Sequence, residues 1–323
     1  EKNYELDLSD KRRKFKGRAV FQGSYVKDQD ANWAIFADLG SSPATMEATR
    51  MADAYGLMPG HIVQQSDAEQ AYTQAWFRGE DTWVRLPKDQ WPQEWHDKGY
   101  VDPVCPLVLA LYGHPDSGSD WEAHADKCVR SVGYAPVPNW PSCYWHADKQ
   151  LFLVIYVDDF KLAGPMGNLD EGWKLLRSTG LKLDPPAPLG LYLGCKHEES
   201  ERVLPDTGKR VRVMEYNMEE FLSSCVDRYA EITGVNYFRH ATTPFLPEAS
   251  APNLTDGPPD YSELAKKAEE QLRAGLELKS YAAKVLMKIL YAARYARFDL
   301  LRAVCLHSSS PNGMQCVTND CIA

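Results

Sequence analysis

Leu151-Phe152-Leu153-Val154-Ile155-Tyr156-Val157-Asp158-Asp159 is the most apolar stretch of the chain, and it ends on two adjacent carboxylates. An unbroken run rich in β-branched and aromatic side chains predicts a buried β-strand. Charges at the end of such a strand cost several kcal/mol unless something compensates them. For neighbouring carboxylates the usual compensation is a divalent metal. Asp158 and Asp159 are therefore the first candidates for function.

Around this run the chain punctuates itself. Residues 143–145 predict the partner strand of a hairpin, with its turn near Ala147-Asp148-Lys149 and a Pro-rich approach over 136–141. A helix is expected from Asp120, carrying Trp121, His124, Cys128 and Val132 and stopped at Gly133. His124 and Cys128 are four apart, but no second ligand pair has matching spacing. Downstream, residues 168–179 predict a helix with Leu169, Trp173 and Leu176 on one side, followed by a strand over 191–196. Upstream, strand and turn are expected over 16–26. A helix is expected over 43–57, with Pro43 in its first turn and Gly56 at its end. Residues 61–66 predict a strand delivering Asp67, and residues 82–87 a strand closed by Pro87. Beyond residue 205 the pattern turns helical, over 216–229 and 261–306, around a Pro-rich connection at 242–260.

The chain has 323 residues, 44% of them hydrophobic, enough for two domains with substantial cores. No stretch approaches the roughly 18 apolar residues of a membrane helix, so no membrane partner is expected. The chain begins at Glu1 rather than Met, and further residues are expected upstream. A net charge of −9 argues against a protein that simply coats nucleic acid. Yet Lys11-Arg12-Arg13-Lys14-Phe15-Lys16-Gly17-Arg18 is a local positive block, read either as a solvated arm or as a phosphate-contacting element. The eight cysteines are scattered without a CxxC pair, which suits reduced thiols of a cytosolic or nuclear protein.

Asp67 is a third carboxylate at a strand end. If both strands share one sheet, Asp67 and Asp158 come face to face, and their repulsion calls for cations. Two divalent ions about 4 Å apart would satisfy them and make a nucleotidyl-transfer site. Hard oxygen ligands favour Mg²⁺, with Mn²⁺ able to substitute.

In order and spacing these residues resemble the reverse transcriptase domain of copia-type long-terminal-repeat retrotransposons, over roughly Lys16 to Leu306. The matching landmarks are Lys16-Gly17-Arg18-Ala19-Val20-Phe21-Gln22-Gly23, Ser66-Asp67-Ala68-Glu69-Gln70-Ala71-Tyr72, Gly79-Glu80-Asp81 and Trp83-Val84-Arg85-Leu86-Pro87. Leu111-Tyr112-Gly113 with Trp121 follows, then Tyr156-Val157-Asp158-Asp159, Leu191-Tyr192-Leu193-Gly194, Thr243-Pro244 and Arg297-Phe298-Asp299-Leu300.

The resemblance implies an α+β right-hand polymerase whose antiparallel palm sheet is backed by helices. Residues 1–60 and 78–107 would form the fingers, 61–77 and 108–204 the palm, 205–306 a helical thumb or connection, and 307–323 a disordered tail. It implies that Asp67, Asp158 and Asp159 bind two Mg²⁺ ions. Lys16, Arg18, Ala71, Tyr72 and the position of Asp116 would meet the dNTP. Tyr72 would exclude a ribose 2′-OH, and Lys182 would protonate the departing pyrophosphate. Tyr156, Leu193 and Gly194 would contact primer and template, which are RNA or DNA. Integrase and ribonuclease H domains are expected outside this chain, and the location is a cytoplasmic virus-like particle, the nucleus, or both. Where the family has L-K-Q-A-P-R-A-W, this chain has His114-Pro115-Asp116-Ser117-Gly118-Ser119-Asp120-Trp121, so an acid replaces the nucleotide-contacting glutamine. The alternative is a degenerate or repurposed element remnant that binds nucleic acid or a partner without catalysis.

Overall fold

The computed structural model describes residues 17–34, 41–234 and 278–309. Lys16 and the rest of the basic block before it, the Thr243-Pro244 landmark and residues 310–323 lie outside these. The chain divides into two units, Glu1–Leu189 and Gly190–Ala323. The division precedes the change of composition near residue 205, because a strand hairpin spans that point.

In the first unit the elements are α1 (Met46–Gly56), β1 (His61–Asp67), β2 (Trp83–Arg85), α2 (Gln93–Asp97), β3 (Val104–Pro106), α3 (Ser117–Ser131), β4 (Ala135–Pro136), β5 (Cys143–His146), β6 (Leu151–Tyr156), β7 (Asp159–Pro165), α4 (Met166–Ser178) and β8 (Ala187–Pro188). Six strands form one antiparallel sheet in the order β4-β5-β6-β7-β1-β8. β2 and β3 pair separately.

The apolar run forms β6 near the centre of this sheet, and Leu151 through Ile155 are all buried. Alternation sends Leu151, Leu153 and Ile155 to one face. There they join Phe160 and Leu162 of β7, Trp121, Ala125 and Val129 of α3, and Leu169, Trp173 and Leu176 of α4. The opposite face of β7 and β1 is covered by α1, where Gly56 lets the helix approach Val63. A Cβ on Gly56 would meet the Val63 Cβ at 2.8 Å. Truncating Leu176, which is fully buried, removes apolar contacts on one side of the sheet only. Leu176→Ala should cost about 3 kcal/mol in a urea melt followed by circular dichroism.

Local starts differ from expectation in three places. Thr45, not Pro43, opens α1, its Oγ1 accepting from the Ala48 N–H. α3 begins at Ser117, and Asp120 lies inside it, accepting from the backbone N–H and the Nε of Arg78. Residues 17–22 form no strand and lead into a 3-10 turn at Gly23–Tyr25.

The second unit holds β9 (Leu191–Tyr192), β10 (Cys195–Val203), β11 (Arg210–Asn217), α5 (Glu219–Thr233), α6 (Leu278–Tyr295) and α7 (Leu301–Ser309). The single strand expected over 191–196 is two strands, because Leu193 (φ 49°) and Gly194 (φ 76°) make a left-handed two-residue turn. The helix expected from Tyr216 begins at Glu219; Tyr216 belongs to β11, opposite the buried His197. Among the described residues no helix is long and apolar enough to cross a membrane.

Candidate active site at a carboxylate cluster

Register brings the acids together. β7 runs antiparallel to β1 with Asp159 directly opposite Asp67. Opposed residues put their side chains on one face, with Cβ atoms about 5 Å apart. Tyr156 pairs with Asp159 across the β6–β7 hairpin, so Val157 and Asp158 are the turn itself. The expected strand thus stops before the acids, and its turn presents them. Val157 holds φ 56°, a left-handed conformation a β-branched residue rarely adopts. Two bonds hold the turn in place. The Trp121 Nε1–H donates to the Val157 carbonyl at 2.6 Å, and the Ala68 N–H donates to the Asp158 carbonyl at 2.7 Å. On the other side of Asp67, its carbonyl accepts from the Asp184 N–H at 2.8 Å.

The cluster is electrostatically crowded. Partial burial pushes the Asp159 carboxyl up to about 7; the charges of Asp158 and Asp67 and a side-chain hydrogen bond with Asp67 add to this, while Lys161 opposes it. The Asp158 charge also reaches the phenols of Tyr72 and Tyr112, whose pKa values are raised first by burial and then by that charge. Arg18 acts on both phenols in the opposite sense, its guanidinium lying 4.5 Å from the Tyr112 ring centroid. Tyr72 and Tyr112 meet edge to face at 4.6 Å. One carboxylate, two phenols and one guanidinium therefore stand around a common spot beside the acid pair. Tyr112 belongs to the Leu111-Tyr112-Gly113 signature, but sequence reasoning assigned it no role. Its signal was an aromatic beside a turn glycine, which core packing explains equally well.

The remaining candidates fall in several places. Ala71 opens the 3-10 turn Ala71–Gln74, and its side chain is buried in the core, so only its backbone is left for a ligand. Lys182 is exposed on the segment beside Asp67, with its carbonyl accepting from Glu69 N–H and Gln74 Nε2. Asp116 directs its N–H to His114 Nδ1, and its carboxylate stands 4.0 Å from that ring nitrogen and against Gly79. Tyr156 closes β6, half-buried. Leu193 and Gly194 form the turn of the second unit; the Tyr291 hydroxyl donates to the Leu193 carbonyl at 2.5 Å, and Phe221 lies under Gly194.

The donor chemistry fits a hard divalent cation: oxygen ligands only, at the ends of neighbouring strands, in excess negative charge. Asp67, Asp158 and Asp159 would hold it. Among the described residues no three His, Cys, Asp or Glu side chains are poised to bind an ion as they stand. Asp67 and Asp159 instead share a side-chain hydrogen bond, as two close acids without a cation between them do.

A pH prediction follows. A carboxyl raised from its ordinary value near 4 to about 7 gives the native state extra protons between those values. The stability it contributes is then lost as pH rises through that window. A metal needs the deprotonated form, so below about pH 7 it must displace the proton. Mg²⁺ or Mn²⁺ should raise the Tm clearly at pH 8, and bind about thirtyfold more weakly at pH 5.5. Differential scanning fluorimetry across a metal titration at both pH values checks this.

Comparison of the chain with protein-family models, with curated proteins and with solved structures finds no match.

Proposed function

We propose that this chain is a reverse transcriptase domain of the copia retrotransposon type, adding dNTPs to a primer 3′-OH on an RNA or DNA template by two-metal nucleotidyl transfer. One observation carries the reading: an antiparallel register sets Asp67 opposite Asp159 and beside the Asp158 turn, at one end of the paired strands β1 and β7. In-line phosphoryl displacement needs positioning and charge neutralisation more than covalent chemistry. When bound, two Mg²⁺ ions would activate the attacking hydroxyl and stabilise the leaving oxygen.

The chain's own residues would supply the rest. Asp67, Asp158 and Asp159 would hold the ions. Arg18, already held over Tyr112, meets the triphosphate, with Lys16 as its partner on the sequence. Tyr72 would pack against the sugar. Lys182, exposed beside the Asp67 strand, would protonate pyrophosphate. The sheet backed by α3 and α4 would be the palm. The β9–β10 turn at Leu193 and Gly194 would grip the primer, and the helices after β11 would form the thumb.

Primer extension on poly(rA)/oligo(dT) with Mg²⁺ tests the proposal. Extension that depends on Asp158 supports it. A well-folded chain that extends nothing favours a remnant without catalysis.

A further inference from the structure

Lys161 and Asp53 form an ion pair sealed inside the first unit. Their side chains are 0% and 1% exposed, and Nζ lies 2.8 Å from Oδ1. Stability alone does not account for such a pair, because a well-packed apolar pair of similar volume is commonly as stable or more so. Its position is informative. Lys161 follows Asp159 by two residues on β7, so the two side chains leave the same face about 7 Å apart along the strand. Its register partner on β1 is Gln65, two residues before Asp67. The ammonium therefore sits one pleat behind the Asp67–Asp159 pair. Asp53 reaches it from α1, on the side away from the sheet. The charges acting on the Asp159 carboxyl are those of Asp158 and Asp67, opposed by Lys161.

We propose that Lys161, clamped by Asp53, is a positioning residue that sets the metal affinity of the carboxylate cluster: its fixed positive charge weakens ion binding and keeps the ions exchangeable. This rests on the reading of Asp67, Asp158 and Asp159 as metal ligands. Three carboxylates at neighbouring strand ends attract divalent ions strongly, and an ion that cannot leave with pyrophosphate would stall turnover. A buried cation nearby offsets part of that attraction. It cannot be screened by salt as a surface lysine would be. Asp53 holds the ammonium in place from α1, with its Oδ1 2.8 Å from Nζ.

The test is Mn²⁺ binding to the whole chain, followed by the electron paramagnetic resonance of free Mn²⁺, without nucleotide or nucleic acid. The double variant Asp53→Leu/Lys161→Met removes both charges at similar volume. It should bind Mn²⁺ about tenfold tighter than the wild type. Lys161→Arg keeps a positive charge at this position, because a guanidinium stays protonated when buried against Asp53, and it should bind Mn²⁺ as the wild type does. A tighter double variant beside an unchanged Lys161→Arg separates a charge mechanism from a structural one, which would move both variants. The Mg²⁺ concentration giving half-maximal extension should follow the same order. Equal Mn²⁺ affinity in wild type and double variant, with wild-type binding lost in Asp158→Asn, overturns this inference alone. Should the double variant fail to fold, Lys161→Met alone should bind Mn²⁺ more tightly, and unchanged or weaker binding overturns the inference. If the wild type binds no Mn²⁺ that Asp158→Asn removes, the metal-site reading falls and this inference falls with it.

Discussion

Asp158→Asn should slow primer extension by about 10³-fold or more while leaving the fold intact. The substitution is nearly isosteric. The backbone bond that fixes the turn, from the Ala68 N–H to the residue 158 carbonyl, does not involve the side chain. Neither does the Trp121 bond to Val157. What is lost is one negative charge at the point where two cations would meet the triphosphate. An amide oxygen is a weaker ligand for Mg²⁺ than a carboxylate and cannot neutralise it. The metal-free protein should in fact melt a few degrees higher, because a charge is removed from a crowded cluster. Loss of rate with gain of stability is the signature of a functional carboxylate, and a structural one would lose both. Asp67→Asn should behave alike. Asp159→Asn resembles the protonated form already favoured near neutral pH, so its rate loss should be smaller and its stabilisation largest at pH 8. The measurement is single-nucleotide extension alongside thermal melts at matched pH. Extension by both Asn variants at the wild-type rate would place the ions elsewhere and sink the reading.

The parts of this chain that were legible in its sequence share one property: their burial pattern is local and periodic. Leu169, Trp173 and Leu176 recur at helical spacing and form the buried stripe of α4. The 151–156 run is buried on both faces, so it needed no alternation to be recognised. The β10–β11 hairpin was missed for the opposite reason. Its strands carry Lys196, Glu198, Arg202, Arg210, Arg212 and Glu215, and cross-strand ion pairs such as Arg212–Glu199 at 2.7 Å replace an apolar stripe. β10 has no hydrophobic period to find, and the alternation Arg210-Val211-Arg212-Val213 in β11 is too short to mark a strand without its partner. The break at Leu193 was hidden because leucine seldom takes a positive φ, and the turn needs the strands on either side to impose it.

The site divides along the same line. Asp67, Asp158 and Asp159 were visible because charges at the ends of apolar strands are costly and demand a reason. The register that opposes Asp67 to Asp159 is a tertiary fact, set by the β1–β7 pairing across the sheet. Lys161 and Asp53 were invisible because neither is unusual in its own neighbourhood. Only the fold shows that β7 and α1 bury them together.

Tyr72→Ala should cut the preference for dNTP over rNTP by about 10²-fold in kcat/KM. The ring is well placed to discriminate because it is held on several sides. Gln70 in a left-handed conformation and the turn Ala71–Gln74 fix its backbone. Tyr112 contacts it edge to face at 4.6 Å, and its inner side packs on the core. It stands within electrostatic reach of Asp158, so a triphosphate held through metals at that carboxylate would lay its sugar against the ring. A 2′-hydroxyl would then need space the ring occupies. Removing the ring opens that space and lets rNTPs in. Tyr72→Phe should keep the discrimination, because a steric block needs the ring and not the phenol. The loss of packing in Tyr72→Ala will lower stability by about 2 kcal/mol, but a ratio of two substrates on one variant is insensitive to the fraction folded. Equal discrimination in wild type and Tyr72→Ala would mean the sugar lies elsewhere. Loss in Tyr72→Phe as well would mean the hydroxyl acts as a hydrogen-bonding group, and Arg18, stacked on Tyr112, would then be the next residue to change.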